Sequence, residues 1–282
     1  MKKNKEIIMK YVFLLAACAS IVAVFLICIF LFASGIPAMA EIGFGDFLLG
    51  TSWKPLNGVY GIFPMIMASL YVTLGAIILG VPIGIFCATY MAKFCPKGVY
   101  KWLKPAVDLL AGIPSIVYGF FGLMLIVPAF RVMFGGSGKS ILAASVVLAI
   151  MVLPTIIGLS ESAIRAVPEA YYQGALALGA THERSVFFTV IPAAKSGIIA
   201  SVVLGVGRVI GETMAVIMVV GNQAILPESI LSGVRPMTAN IVLEMGYAAG
   251  LHREALIATA VVLFVFILII NLVFNILKRR GL

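Results

Sequence analysis

Apolar residues run along this chain in long unbroken stretches. Six stand out, near Tyr11–Ala33, Ile62–Ala92, Pro105–Phe130, Ser140–Leu159, Ile198–Gly221 and Ala255–Leu277. About 20 such residues cross the hydrocarbon core of a bilayer as one helix. The pattern predicts an all-α integral membrane protein with six transmembrane helices. The second and third stretches exceed what a perpendicular span needs, so they tilt or protrude. The expected division is a polar tail over 1–10, a first span with an outer loop over 11–61, a five-span core over 62–277 and a second tail over 278–282.

Composition agrees with a membrane chain. Of 282 residues, 62% are hydrophobic and 11% charged, where soluble domains carry about 25% charged residues. Mean hydropathy is +1.16. The four cysteines, Cys18, Cys28, Cys87 and Cys95, lie in or beside apolar runs. Neither they nor His182 and His252 show metal-site spacing, so the cysteines read as small apolar fillers.

The net charge of +9 reads as orientation in the bilayer and not as a nucleic-acid footprint. Lys2, Lys3, Lys5 and Lys10 precede the first span. Lys93, Lys97, Lys101 and Lys104 follow the second, Arg165, Arg184 and Lys195 the fourth, and Lys278, Arg279 and Arg280 the sixth. The opposite side carries Lys54, Arg131, Lys139, Arg235 and Arg253. This imbalance puts both termini in the cytoplasm. The lysine-rich start followed by Pro37-Ala38-Met39-Ala40 resembles a signal peptide. However, the apolar run passes 20 residues where a signal core has about 7–15, so we expect an uncleaved first span.

Polar segments are modest. Residues 34–61 form an outer loop, and 222–254 a second that includes Thr238–Gly250, apolar enough to dip into the interface as a short helix. The longest inner segment, 160–197, reads as two short helices and a sharp turn. Pro168 suits the first turn of a helix over Ala170–Leu178, and Gly179 fits a left-handed stop after it. Thr181 caps a second helix with Glu183 in its first turn, and Pro192 ends that helix. Spacing alone also allows a plain amphipathic loop lying on headgroups. No segment could house a nucleotide-binding domain, and the GxxxxGK[ST] phosphate loop is absent from the sequence.

This loop resembles the EAA loop of ABC importer permeases, the element that docks onto the ATPase subunit. Gln173-Gly174-Ala175 takes the Glu-Ala-Ala place, Gly179 the glycine and Thr189-Val190-Ile191-Pro192 the ending; Gln173 departs from the family Glu and loses its charge. GTSWKPLNGVYGIFP (50–64), AGIPSIVYGFFGL (111–123), QGALALGAT (173–181), GRVIGETMAVIMVVGN (207–222) and MTANIVLEMG (237–246) together resemble the PstC-type permeases of phosphate-specific ABC transporters. The resemblance implies a type I importer permease fold with cytoplasmic coupling helices. It implies a non-enzymatic transport subunit of a bacterial inner membrane. Its partners would be lipid, a second permease of the PstA type, two ATPase chains that bind ATP and Mg, and an extracytoplasmic phosphate-binding protein. Glu169, Gln173, Gly174, Ala175, Gly179, His182, Glu183 and Pro192 would form the docking element. His182 is expected to meet the ATPase or solvent, not a metal.

One stretch violates the apolar pattern. GVGRVIGETMAV (205–216) sets Arg208 and Glu212 one helical turn apart inside the fifth span. Counting 1.5 Å per residue from Ser196 puts Arg208 about 18 Å in, near the middle of a ~30 Å core, with Glu212 about 6 Å further out. An arginine there costs roughly 2.5–3.5 kcal/mol or more, so it faces protein or a wet path. Arg before Glu is the weaker order for helix support, yet a buried pair locking two helices remains one reading. The other is anion chemistry. Arg208 offers a planar fork of donors to an oxyanion, Gly205, Gly207 and Gly211 clear space, and Glu212 neutralises it when the path is empty. In the resembled family the matching Arg and Glu are implicated in phosphate movement. Ser115, Tyr118 and Thr213 are further pathway candidates. Pro82 and Pro114 are expected to kink their spans, Asp108 to serve a helix N-terminus, and Gly119–Leu125 to pack. Molybdate or sulfate would suit one arginine equally well. An ATP-independent transporter or channel and a membrane sensor are the competing classes, and neither has a use for a docking loop.

Overall fold

The computed structural model describes residues 2–279, with side chains placed over 9–273 and at Ile276. The basic residues Lys2, Lys3, Lys5, Lys278, Arg279 and Arg280 of the two tails lie outside the described side chains. The helices in chain order are α1 (Lys2–Ile42), α2 (Phe44–Leu49), α3 (Phe63–Thr89), α4 (Lys97–Gly112), α5 (Ser115–Phe121), α6 (Val127–Phe134) and α7 (Ile141–Arg165). Then follow α8 (Glu169–Ala177), α9 (His182–Ser185), α10 (Ile191–Ala193), α11 (Lys195–Ile210), α12 (Met214–Val219), α13 (Met237–Met245) and α14 (Leu251–Arg279). A hairpin of β1 (Trp53–Lys54) and β2 (Val59–Tyr60), antiparallel with Trp53 opposite Tyr60, sits between α2 and α3.

Five described helical runs are long and apolar enough to cross a membrane: Met9–Ile42, Phe63–Phe94, Ser115–Phe134, Ile141–Arg165 and Leu251–Val273. The bent pair His182–Ala193 and Lys195–Ile210, at 67°, brings the count to six if it is taken as one span. The all-α membrane class and the count of up to six spans agree with the apolar pattern.

Boundaries differ in instructive ways. α1 continues through Pro37 to Ile42 and absorbs the start of the expected outer loop. It rests on α14, where Gly35 faces Ala258 and Val261 so closely that a Cβ would lie 2.7 Å from the valine methyl. α3 runs through Pro82 without interruption. The expected third span, Pro105–Phe130, shifts to Ser115–Phe134 because the chain breaks before Pro114. Ile113 is extended there (ψ 127°), as the residue before proline prefers. The amphipathic helix α4 is therefore separate, and Asp108 lies in its interior, 3.3 Å from Lys104, instead of at a span N-terminus. The fourth span extends past Leu159 to Arg165. The fifth is broken at 211–213.

Helix α7 is the centre. Its residues from Ile141 to Ile164 are buried at most inward positions, and α3 packs along it. Gly80 and Gly84 of α3 face Val152 and Ile156, and a Cβ at Gly84 would meet the Ile156 methyl at 2.7 Å. Lipid tails are as apolar as leucine, so close backbone approach and dispersion contacts hold such helices together, with no hydrophobic drive between them. One apolar cluster joins α3, α5, α7 and α12. A second gathers α1, α2, the hairpin and α14 at what we term the cap end. A third joins the end of α3, α4, α7, α11 and the 166–194 segment at the loop end.

Candidate functional site

The fifth span is discontinuous at the stretch that carries Arg208 and Glu212. Helix α11 tightens over its last turn, with Gly211 N bonding Gly207 O and Glu212 N bonding Val209 O. It stops before Glu212, and the first backbone N–H groups of α12 have no intrahelical acceptor. The Glu212 carboxylate provides one: Oε1 accepts from Thr213 N at 3.1 Å and from Ala215 N at 3.2 Å. A carboxylate is well placed there, since a helix N-terminus carries partial positive charge.

Arg208 therefore lacks the expected partner. Its Nη1 donates to the Thr155 hydroxyl on α7 at 2.7 Å, and no described carboxylate lies within ion-pair distance of it. The expectation that Glu212 neutralises Arg208 is thus corrected. The break removes the one-turn geometry, and the orphaned N–H groups claim the carboxylate. Arg208 is half-buried, with exposed Leu204 one turn before it on α11 and exposed Met214 at the start of α12. A Cβ at Gly207 would meet nothing within 4 Å. Gly205 instead packs on Val152 and Ile156.

The other pathway candidates are spread out. Thr213 Oγ1 donates to Gly211 O at 3.3 Å, which stiffens the break. The Tyr118 hydroxyl donates to Leu110 O at 2.7 Å and ties α5 to the end of α4, with the ring buried. Ser115 opens α5 and is half-exposed. Gly119 and Gly122 pack closely, against Ala215 and against Val147 with Val219, whereas Phe120, Phe121, Met124 and Leu125 are exposed.

Helix α13, the expected short dipping helix, closes over the break from the cap end. Thr238 Oγ1 donates to Glu212 O at 3.2 Å, and Met237 N donates to Ser69 Oγ on α3 at 3.0 Å. Its other end is held by Glu244, a buried carboxylate that the sequence reading passed over. Glu244 accepts from Trp53 Nε1 (2.8 Å) and Arg235 Nη1 (2.6 Å), and His252 Nε2 lies 2.8 Å away. The signal was available in the Glu of MTANIVLEMG, but its partners are 191, 9 and 8 residues away.

At the loop end the two-helix reading of 166–192 agrees with the structure. Pro168 precedes α8, Gly179 has φ +85°, and Thr181 Oγ1 accepts from Arg184 N at 3.3 Å. Glu183 is exposed, and its own backbone N–H holds its carboxyl below the usual range, helped by Thr181. Gln173 and Gly174 are exposed and Ala175 is half-exposed, beside an exposed Leu178. Glu169 meets Lys93 at 3.3 Å. The second helical run ends at Ala193, one residue past Pro192, as expected. It is not a plain helix: a wide (π) turn over Val186–Val190 comes first, Ile191 N bonds Val186 O, and Pro192 enters α10 where it needs no donor. One expectation needs correction. His182 does not simply face outward: its Nδ1 lies 2.7 Å from the Tyr172 hydroxyl, and Phe94 meets its ring edge-on at 4.7 Å.

A second buried carboxylate was also missed. Glu161, 2% exposed, accepts from Tyr100 (2.6 Å) and Arg165 Nε (2.8 Å), with Lys104 Nζ at 3.4 Å. It anchors α4 to α7, and its hydrogen bond raises the Tyr100 phenol above the ordinary tyrosine pKa. No group of metal-ligating side chains occurs among the described residues.

Comparison with known proteins adds relatives to this geometry. The chain is 37% identical over 272 residues to a probable ABC transporter permease protein, YqgH, of Bacillus subtilis, covering 92% of this chain and 88% of the relative. It is 33% identical over 241 residues to the phosphate transport system permease protein PstC of Haemophilus influenzae, covering 78% and 76%. Among solved structures, a bacterial ABC transporter involved in import of the acidic polysaccharide alginate matches with a TM-score of 0.65 at 16% identity, over 94% of this chain and 95% of that one. The MetNI methionine ABC transporter matches with a TM-score of 0.63 at 18% identity, over 82% and 100%. These likenesses are of fold. Residues 80–281 match the model of the binding-protein-dependent transport system inner membrane component, and the chain belongs to that family.

Proposed function

We propose that this chain is the PstC-type half of an ATP-driven phosphate importer. It would work with a second, PstA-type permease, two ATPase chains and an extracytoplasmic phosphate-binding protein. The loop end would face the cytoplasm of a bacterium, since Lys93, Lys97, Lys101, Lys104, Arg165, Arg184 and Lys195 lie there. The exposed Gln173–Ala175 and Leu178 surface would dock on an ATPase, which would hold the ATP and Mg.

The observation that carries the reading is Arg208. It is a half-buried guanidinium in a broken span, held by one neutral hydroxyl from Thr155. An arginine fork suits a tetrahedral oxyanion. A contact with one arginine is also weak enough to release a solute that must pass on. Glu212 acts beside it by capping α12 and keeping the break open. An energy source is needed because each negative charge moved into the cell costs about 2.3 kcal/mol per 100 mV. A dianion at ~150 mV therefore costs roughly 7 kcal/mol before any gradient.

The test is uptake in proteoliposomes holding the four-component complex. Arg208→Ala should assemble and hydrolyse ATP while phosphate uptake falls at least about a hundredfold, the scale of one lost charge-assisted contact. Arg208→Lys should recover part of it. Normal uptake by Arg208→Ala removes the pathway role. Uptake of sulfate or molybdate in preference to phosphate reassigns the solute.

A further inference from the structure

The end of α3 is built unlike the other span ends. Beyond Thr89 the helix widens into a π turn over Tyr90–Phe94, and Cys95 N bonds Tyr90 O at 2.8 Å. This orphans the Met91 carbonyl. Its ordinary donor, Cys95 N, is already engaged, and the next residue, Pro96, has no N–H. Arg165 of α7 fills the gap, with Nη2 donating to Met91 O at 2.7 Å. Met91 itself is 1% exposed within the loop-end cluster.

The same five residues receive both helices of the docking loop. Lys93 meets Glu169 of α8 at 3.3 Å and lies 5.3 Å from the centre of the Tyr172 ring. Phe94 meets His182 of α9 edge-on at 4.7 Å and Phe187 at 6.2 Å. Tyr172 and His182 join α8 to α9 at 2.7 Å. The Lys93–Glu169 pair is exposed on its acidic side and holds little by itself. The aromatic contact and the tyrosine–histidine bond link the turn to α9, and α9 to α8. At its far end, α3 carries Ser69, which bonds Met237 of α13 next to the Glu212 break. One helix thus touches the docking loop at one end and the cover of the broken span at the other.

We propose that the Tyr90–Phe94 turn is the coupling joint of this chain: it passes displacement of the docking loop into α3, with Phe94 and Tyr172 as its positioning residues. The inference rests on the importer reading. Wide turns inside helices are often placed at functional sites, and this one carries side-chain contacts to both α8 and α9.

The experiment measures phosphate uptake and ATP hydrolysis in the same proteoliposomes, with the full complex carrying Phe94→Ala, Phe94→Tyr or Tyr172→Phe. Phe94→Ala should keep the ATPase bound and hydrolysing while phosphate moved per ATP falls about tenfold, equivalent to ~1.4 kcal/mol. Phe94→Tyr, which keeps the ring, should restore the ratio, and Tyr172→Phe should lower it severalfold. A merely structural role would lower the amount of complex and leave the ratio unchanged. An unchanged ratio in both Phe94→Ala and Tyr172→Phe overturns the joint. If Phe94→Ala does not assemble, the ratio in Tyr172→Phe decides. A wild-type complex without an ATPase overturns the importer reading and the joint with it, whereas an ATPase that binds with an unchanged ratio overturns the joint alone.

Discussion

Arg208 and Glu212 stand four residues apart and do different work. Arg208 bonds Thr155 across to α7, while Glu212 caps the helix that starts beyond the break. Glu212→Ala should therefore cost about 1 kcal/mol of stability through the lost cap, read as a lower melting temperature of the purified complex. Glu212→Gln keeps an acceptor oxygen and should recover most of it. If Glu212 were an ion-pair partner for Arg208, Gln would fare nearly as badly as Ala. Both acidic and basic residues were visible in the sequence. Their separate partners were not, because the one-turn spacing implies mutual contact only when the helix is continuous, and Gly211 begins the interruption here.

At the scale of elements, the turn at Gly179 separates α8 from α9. Its φ of +85° is open to glycine and strained for residues with a Cβ. Gly179→Ala should destabilise the loop by about 1–2 kcal/mol and weaken retention of the ATPase on this chain, measured by the fraction co-purifying. Retention at the wild-type level would count against docking through this turn. The cap at Thr181 and the stop at Gly179 were readable because they depend on local backbone chemistry. The wide turns at Tyr90–Phe94, Gly122–Ile126 and Val186–Val190 were not, since no residue type demands them. They fit prolines and neighbouring helices that the sequence does not bring together.

For the whole molecule, the broken fifth span leaves Leu204 and Met214 exposed on either side of a half-buried Arg208. A second permease would complete the path there. This chain alone in liposomes should therefore give no phosphate uptake with or without ATP, and the complete complex should. Uptake by the single chain in a flux assay would favour a channel. The sequence by itself determined the membrane class, the span count, the two helices of the 166–192 loop and the presence of an arginine inside the fifth span. These follow from hydropathy and from local turn and cap chemistry, which act within a few residues. Only the tertiary structure decided that Arg208 meets Thr155, that Glu212 is a cap and that Glu161 and Glu244 are buried hubs. It alone placed Phe94 against His182. Each of these depends on contacts between separate helices or on where a helix is interrupted, and an apolar pattern carries no information on which faces meet.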